Sequence, residues 1–204
     1  MSNYRALLNT LDAWFARGRE AAGPGVIPCM RSCSACCHGV FDISPADAAL
    51  LAEGLAALSP ASATALRSRA REQLAGCAER LPSWGPPWDV DALSEQTFDE
   101  LSEQLAQAPC PALGADGGCL VYAQRPATCR MTGLALDAGH AGRLDNECPI
   151  QADFPRYAAL VPVPFDLMDF ERQAAQHDEA ARASGYLTTT VAGAIVAPPV
   201  EPPG

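Results

Sequence analysis

Four cysteines fall within nine residues near the start of the chain, in a C-x3-C-x2-C-C pattern. Thiols at this density make a poor hydrophobic core and are prone to oxidation, so the pattern indicates a metal site rather than a buried stripe. On one straight helix the four would share a side, but the first and last would lie about 12 Å apart along the axis. The run is therefore expected either to depart from one straight helix or to serve a cluster or two sites, and the flanking Pro28 and Gly39 favour a short, bent segment. The four cysteines are Cys29, Cys33, Cys36 and Cys37.

A second group of four cysteines is spread over a segment rich in proline and glycine. Proline and glycine favour the tight turns that can direct several thiolates toward one point. Eight thiols are enough for two tetrahedral sites, or for one iron–sulfur cluster with spare ligands. We therefore predict that both groups bind zinc or iron, with an iron–sulfur cluster among the alternatives. His38 is a further candidate ligand, although eight cysteines already supply enough donors. The second group consists of Cys110, Cys119, Cys129 and Cys148.

The ninth cysteine, Cys77, belongs to a different pattern. It continues an apolar stripe at helical spacing, and such a stripe is typical of a core-facing helix. We predict that Cys77 packs in the core and binds no metal. The other members of the stripe are Leu66, Ala70, Leu74 and Leu81.

The charge balance narrows the range of partners. The chain has 14 basic and 24 acidic side chains, for a formal net charge of −10 at pH 7. This acidity argues against nucleic acid and against anionic membrane surfaces, both of which attract basic faces. The apolar stretch Val191–Ala197 is far shorter than the roughly 20 residues that span a bilayer. The first 20 residues show no signal-peptide pattern, so we expect a cytoplasmic protein whose thiols stay reduced, and no protein partner is identified.

Helical signals dominate outside the cysteine-bearing segments. Ser44-Pro45 and Ser59-Pro60 are typical helix starts, because serine caps a helix and proline is tolerated at the first helical position. The breaker Gly23-Pro24-Gly25 ends the first predicted helix. The predicted helices, with approximate bounds, are Asn3–Arg19, one beginning after Ser44, Ser59–Leu81, Ser94–Gln107 and Phe165–Ala183.

The remaining segments are irregular. Helical periodicity is lost in Ala108–Pro164, where Leu120–Tyr122 and Leu134–Leu136 are candidate extended segments. The tryptophans of the loop Pro82–Trp88 are expected to pack on the helical core.

These patterns predict a mainly α fold. A single helical domain is expected over residues 1–197, with an irregular, cysteine-rich metal-binding segment packed on it. The proline-rich tail, residues 198–204, is predicted to be disordered.

The two cysteine groups together resemble a known family. Beyond the first run, the chain carries C-P-x-L from Cys110 and G-x-C-x-x-Y-x-x-R-P-x-x-C-R ending at Cys129 and Arg130. This combination, over about residues 29–148, resembles the YkgJ-type cysteine cluster proteins, which are described as zinc- or iron-chelating. The resemblance implies metal chelation and implies no known reaction.

Arginines near the cysteines are candidates for offsetting charge at the centre. Four thiolates around one divalent ion leave a net charge near −2, and nearby cations also favour the thiolate that binds metal. Arg31, Arg125 and Arg130 are predicted to act in this way, and for Arg125 and Arg130 the family resemblance strengthens the prediction. The alternative is that they pair with some of the many carboxylates.

Three functions are compatible with these features. The first, which we favour, is a metal-binding protein with a structural, metal-handling or redox role. The second is a small metalloenzyme or redox protein, and the third is a thiol-based redox sensor. No acid/base or substrate-binding constellation accompanies the thiols, so the sequence gives little support to an enzyme. The spacing from Cys29 to Cys36 also occurs in radical S-adenosylmethionine enzymes, but Ala35 replaces the usual aromatic residue and the strand–helix repeat of that class is absent.

Overall fold

Helices make up most of the regular structure, which confirms the predicted mainly α fold. The computed structural model describes residues 2–30, 32–197 and 199. Within them lie eight α-helices: α1 Ser2–Ala22, α2 Pro45–Ala56, α3 Pro60–Arg80, α4 Glu95–Gln104, α5 Ala127–Met131, α6 Pro155–Ala158, α7 Leu167–Arg182 and α8 Val191–Val196.

Short strands and 3-10 helices connect these elements. β1 pairs with β5 in an antiparallel ladder, and β2 lies between an antiparallel β3 and a parallel β4. Leu136 is therefore paired with both Leu144 and Val163. The strands are β1 Asp42–Ile43, β2 Leu136–Asp137, β3 Arg143–Leu144, β4 Val163–Pro164 and β5 Thr189–Thr190. The 3-10 helices are Val90–Ala92, Tyr122–Gln124, Gly139–Ala141 and Gln151–Asp153.

The helix starts agree with the sequence signals. Ser44, Ser59 and Ser94 cap α2, α3 and α4, because each side-chain oxygen accepts a hydrogen bond from the backbone N–H three residues later. The first helix ends at Ala22, directly before the predicted breaker. The acidic helix α4 is shorter than predicted and ends at Gln104.

The buried side chains form three clusters. We call them the large core, the α1 core and the strand core. The large core joins α2, α3, α4 and α8 with the loop tryptophans Trp84 and Trp88, and Cys77 is fully buried in it, as predicted. The α1 core joins α1 to α2 and α7. The strand core consists of Trp14, Val26, Ile27, Leu134, Leu136, Tyr157 and Leu167.

Some local predictions were wrong. Leu120–Tyr122 is not extended, because Leu120 follows a tight turn and Tyr122 begins a 3-10 helix. Of Leu134–Leu136, only Leu136 lies in a strand. Within the apolar stretch Val191–Ala197 the structure has a helix, α8, that packs on α3 and α2 and was not predicted.

Two other expectations have a different outcome. Apart from Pro199, the tail 198–204 lies outside the described residues, and the single domain over 1–197 stays a prediction. Among the described residues, no helix has the length and apolarity required to cross a bilayer.

A buried carboxylate joins three helices near the cysteine-bearing segment. Asp47 of α2 is only 3% exposed, and its Oδ1 accepts a 2.8 Å hydrogen bond from the Tyr4 hydroxyl of α1. Both carboxylate oxygens also accept the backbone N–H of Ala127 at 3.2 Å. Ala127 is the first residue of α5, which carries Cys129. Asp47 therefore holds the start of this short helix against the helical core.

Gly18→Ala should destabilise the fold, although alanine is the better helix former. A Cβ at Gly18 would lie 2.5 Å from Leu134 Cδ1 and 2.9 Å from Val163 Cγ2, where α1 crosses the strands. Overpacking of this kind costs about 1–3 kcal/mol. Thermal unfolding followed by circular dichroism measures the loss.

Gly76→Ala on α3 is the matched control. There the new Cβ would be 3.7 Å or more from its neighbours, which is ordinary contact distance. The helix propensity of alanine should then stabilise the protein by about 0.5–1 kcal/mol. Equal effects of the two substitutions would contradict the close crossing at Gly18.

Asp47→Asn should change how stability depends on pH. Burial raises the pKa of Asp47 to about 6 from an ordinary 3.8, although hydrogen bonds from Tyr4 and Ala127 oppose the rise. The folded protein holds this proton more tightly, so the contribution of Asp47 to stability is complete below about pH 4 and is lost as the pH rises through its folded pKa. Asparagine cannot ionise. The unfolding free energy of the variant, relative to the native chain, should rise by up to about 3 kcal/mol between pH 4 and pH 7.

Urea unfolding of metal-free protein at the two pH values measures this change. Asp99→Asn, at an exposed position of α4, is the matched control and should produce no such trend. A difference between Asp47→Asn and native protein that is independent of pH would contradict the buried carboxylate.

Candidate metal centre

The first cysteine run is a pair of turns and not a helix. The N–H of Cys33 donates to the Met30 carbonyl at 2.9 Å, and the N–H of Cys37 donates to the Ser34 carbonyl at 2.9 Å. The run therefore has the bent course that the sequence favoured. Its thiols are not confined to one helical face, so different members can face different neighbours.

Backbone pairing joins this run to the second cysteine segment. The N–H of Cys110 donates to the Cys37 carbonyl at 2.9 Å, and the N–H of Gly39 donates to the Ala108 carbonyl at 2.7 Å. Between them, exposed His38 forms an antiparallel bridge with Pro109. Two cysteines that are far apart in sequence are thereby placed side by side.

A tight loop brings Cys119 back beside Cys110. Leu113 and Cys119 form an antiparallel bridge, and the N–H of Leu120 donates to the Ala112 carbonyl at 2.9 Å. At the tip, Gly117 has a φ of +77°, and a Cβ there would lie 3.1 Å from the Ser32 carbonyl oxygen. Glycine thus allows the tip to pack against the first run.

The cysteine thiols fall into two groups according to which of them affect one another's pKa. The first thiol group is Cys29, Cys33 and Cys148: burial, followed by the nearby charges of Cys148, Cys33 and Cys36, raises the pKa of Cys29 to about 11. The second thiol group is Cys37, Cys110, Cys119 and Cys129, whose thiols lie within electrostatic reach of one another.

Cys36 lies between the two groups. Its thiol donates a hydrogen bond to Cys37, which is the main cause that raises the pKa of Cys36 and lowers that of Cys37. Cys36 is also close enough to affect both Cys29 and Cys129. The order in the sequence is therefore not the order in space, because Cys37 joins the second group and Cys148 joins the first.

Burial keeps most of the second group protonated when no cation is bound. It raises the pKa of Cys110 to about 11, and it raises the pKa of Cys119 and of Cys129 as well. A cation bound at these thiols would reverse the effect, because it favours the thiolate.

Each thiol group rests on a different hydrophobic cluster. Cys29 and Cys148 pack against the strand core, and Cys110 and Cys119 pack against the large core. The two groups are therefore supported by separate parts of the fold.

A buried phenol that the sequence analysis missed belongs to the first group. Tyr157 of α6 is fully buried, and its hydroxyl donates to the Gly133 carbonyl at 2.6 Å. Cys29, Cys148 and Asn146 are close enough to this hydroxyl to affect its pKa, and the hydroxyl affects the pKa of Cys29 in turn. Tyr157 lies outside the cysteine motif, so no local pattern marked it.

Two of the three predicted arginines have a carboxylate partner. Arg125 and Arg130 both pair with Asp12 of α1, with 2.6 Å between Arg125 Nη2 and Asp12 Oδ1. Arg130 is buried and also donates to the carbonyls of Arg125 and Ala123. The Arg125 guanidinium lies 4.1 Å from the ring centroid of Tyr122, and its charge acts to lower the pKa of Cys119 against the larger effect of burial.

The role of these arginines at a metal centre stays a prediction. Arg31 lies outside the described residues. The cation beside Cys110 is a different one, Arg69 of α3, whose Nε donates to the Pro111 carbonyl at 2.9 Å. Its distance from the cysteines in the sequence explains why sequence analysis missed it.

The thiols are neighbours without forming a ready coordination sphere. In the part of the chain that the structure describes, no three His, Cys, Asp or Glu side chains form a group that could hold a metal ion as placed. Ligation by three or four thiols requires their side chains to turn toward a common point. The donor type nevertheless suits soft metals, since all eight are free cysteines.

Comparison with known proteins identifies the family. No curated protein and no solved structure matches the chain. Residues 28–149, more than half of the chain, match the model of the family CxxCxxCC, whose description is "Putative zinc- or iron-chelating domain". The interval between Cys29 and Cys33 is one residue longer than the first interval in that family's name. The matched range contains both thiol groups and Cys36, and the chain belongs to the CxxCxxCC family.

Proposed function

We propose that the protein binds zinc or iron through eight cysteine thiolates in two adjacent centres, and that its role is to hold or transfer metal. One observation carries the proposal: backbone pairing joins the first cysteine run to the Cys110 segment and the thiols of both affect one another's pKa, whereas no other thiol among the described residues acts on the pKa of the buried Cys77. A cluster of oxidation-prone thiols is typical of a site where the thiolates bind a metal ion.

The proposed ligands follow the two groups. Cys37, Cys110, Cys119 and Cys129 would supply four thiolates to one centre. Cys29, Cys33 and Cys148 would hold the other, with Cys36 as the fourth ligand. Four thiolates satisfy the tetrahedral preference of zinc, and the same donors serve an iron–sulfur cluster.

Among the described residues, two surface cavities of about 850 and 660 Å³ lie away from the thiols, and no cysteine lines either one. A bound metal would supply charge and cross-links between segments, and the residues of the chain would supply thiolates and hydrogen bonds. This supports metal handling over catalysis, in the reducing cytoplasm that the cysteine content favours.

One observation favours a second candidate, a thiol-based redox sensor. The hydrogen bond from Cys36 lowers the pKa of Cys37, and a more acidic thiol has more of the reactive thiolate. In this alternative the cysteines would act without metal.

Anaerobic purification followed by metal analysis and an absorption spectrum distinguishes these functions. Bound iron with acid-labile sulfide and visible colour would identify a cluster, whereas colourless protein with two equivalents of zinc would identify tetrathiolate centres. Well-folded protein that neither retains nor takes up metal would reject the proposal in favour of the sensor.

Cys129→Ser should lower the metal content by about one equivalent if the centres are mononuclear, because serine replaces a soft thiolate with a poor ligand. Cys77→Ser is the matched control: it makes the same change in the core and should leave metal content unaltered, although it lowers the melting temperature. Full stoichiometry in Cys129→Ser, or metal loss in a folded Cys77→Ser, would be inconsistent with the proposed ligands.

A further inference from the structure

Two buried nitrogen atoms without partners lie beside the two thiol groups. We propose, on the basis of the proposed metal binding, that Asn146 Nδ2 and Arg69 Nη2 donate hydrogen bonds to metal-bound thiolates. Asn146 serves the first centre as a neutral donor and Arg69 serves the second as a cationic donor. The two donors therefore differ in charge.

The first argument is hydrogen-bond satisfaction. Within residues 2–30, 32–197 and 199, three buried side-chain polar atoms have no hydrogen-bond partner: Arg69 Nη2, Ser102 Oγ and Asn146 Nδ2. A buried N–H that loses water without gaining a partner destabilises the fold. Two of the three belong to residues whose other hydrogen bonds go to backbone groups at Cys148 and beside Cys110, so a ligand at each thiol group would supply the missing acceptor.

The amide of Asn146 is held in one orientation. Its Oδ1 accepts the backbone N–H of Cys148 at 3.0 Å, so Nδ2 is the atom left over. The side chain lies next to the Tyr157 hydroxyl, which is itself within reach of Cys29 and Cys148. Nδ2 is thus a buried donor, held next to Cys148 and free to donate to a partner there.

Arg69 is held in a similar way at the second thiol group. Its Nε donates to the carbonyl of Pro111, the residue after Cys110, and this contact fixes the guanidinium beside the thiol. No ion pair among the described residues includes Arg69, so a carboxylate does not neutralise it.

The difference between the donors has a physical consequence. Four thiolates around a divalent ion carry a net charge near −2, in a protein that is already strongly acidic. At the second centre Arg69 offsets part of that charge. At the first centre Asn146 donates without adding charge. Loss of either donor should therefore weaken metal binding at its own centre.

Cadmium binding to the full chain under anaerobic conditions tests the inference. Cadmium NMR should give two thiolate-bound signals, which Cys148→Ser and Cys110→Ser assign to the first and second centres. Asn146→Asp keeps the acceptor for the Cys148 N–H and replaces the donor with a negative oxygen. It should shift the first signal and weaken that centre about tenfold to a hundredfold in competition with a chelator, while the second signal is unchanged.

Arg69→Gln should do the reverse: it should shift the second signal and weaken the second centre by a similar factor. The matched controls make the same changes at exposed positions: Asn9→Asp on α1 and Arg71→Gln on α3 should leave both signals and affinities within about twofold. Asn146→Ser, which retains an oxygen for the Cys148 N–H without adding charge, replaces Asn146→Asp if the latter does not fold by circular dichroism.

The outcomes separate the two proposals. Two bound cadmium ions whose signals and affinities are the same in native, Asn146→Asp and Arg69→Gln proteins would overturn the inference and leave metal binding intact. A native chain that binds no cadmium would overturn both. An equal loss of cadmium affinity at both centres from either substitution would also contradict the inference. Such a result would indicate a general effect on the structure and not the loss of a hydrogen bond at one centre.

Discussion

The backbone hydrogen bond from Cys110 to Cys37 is the constraint on which the rest of the site depends. It fixes the end of the first cysteine run against the start of the second segment. The tight loop then returns Cys119 to the same place, and Asp47 holds the start of α5, so that Cys129 faces this junction. Without this pairing, nothing would fix the position of the first cysteine run relative to the glycine-rich loop. Local turns set the course of each segment, and the long-range hydrogen bond between Cys110 and Cys37 brings the segments together.

The negative charge of the chain opposes the ionisation of its cysteine thiols. The chain is strongly acidic, yet the predicted metal ligands must ionise to bind a cation. Asp12 engages Arg125 and Arg130, whereas Arg69 has no carboxylate partner in the described ion pairs. Positive charge is therefore unevenly shared around the thiols, although the two groups use the same ligand chemistry.

The sequence predicted those features that depend on neighbours in the chain. Ser44 and Ser59 are local capping signals, and the periodicity around Cys77 is a local property of α3, so the sequence alone predicts both. The bent course of the cysteine run followed from its spacing and its flanking residues. The family, too, could be recognised from the motif.

The features that sequence analysis missed all depend on distant partners. Asp47 acts on α5, Tyr157 acts on Cys29, and Arg69 acts on Cys110, and in each pair the residues are far apart in the chain. Long-range folding also explains why Cys37 joins the cysteines of the second sequence group and Cys148 joins those of the first. Residue type indicated the chemistry, whereas only the fold could indicate which thiols are neighbours.

The support of each thiol group by a separate hydrophobic cluster has a mechanical consequence. A structural change at the first thiol group would alter the packing of the strand core, where Tyr157 and Trp14 are buried. A change at the second group would alter the packing of the large core, which contains the tryptophan pair Trp84 and Trp88. Filling or emptying either of the proposed centres would then stiffen or loosen a different hydrophobic cluster. A partner that contacts only one of these clusters would respond to only one of the proposed centres.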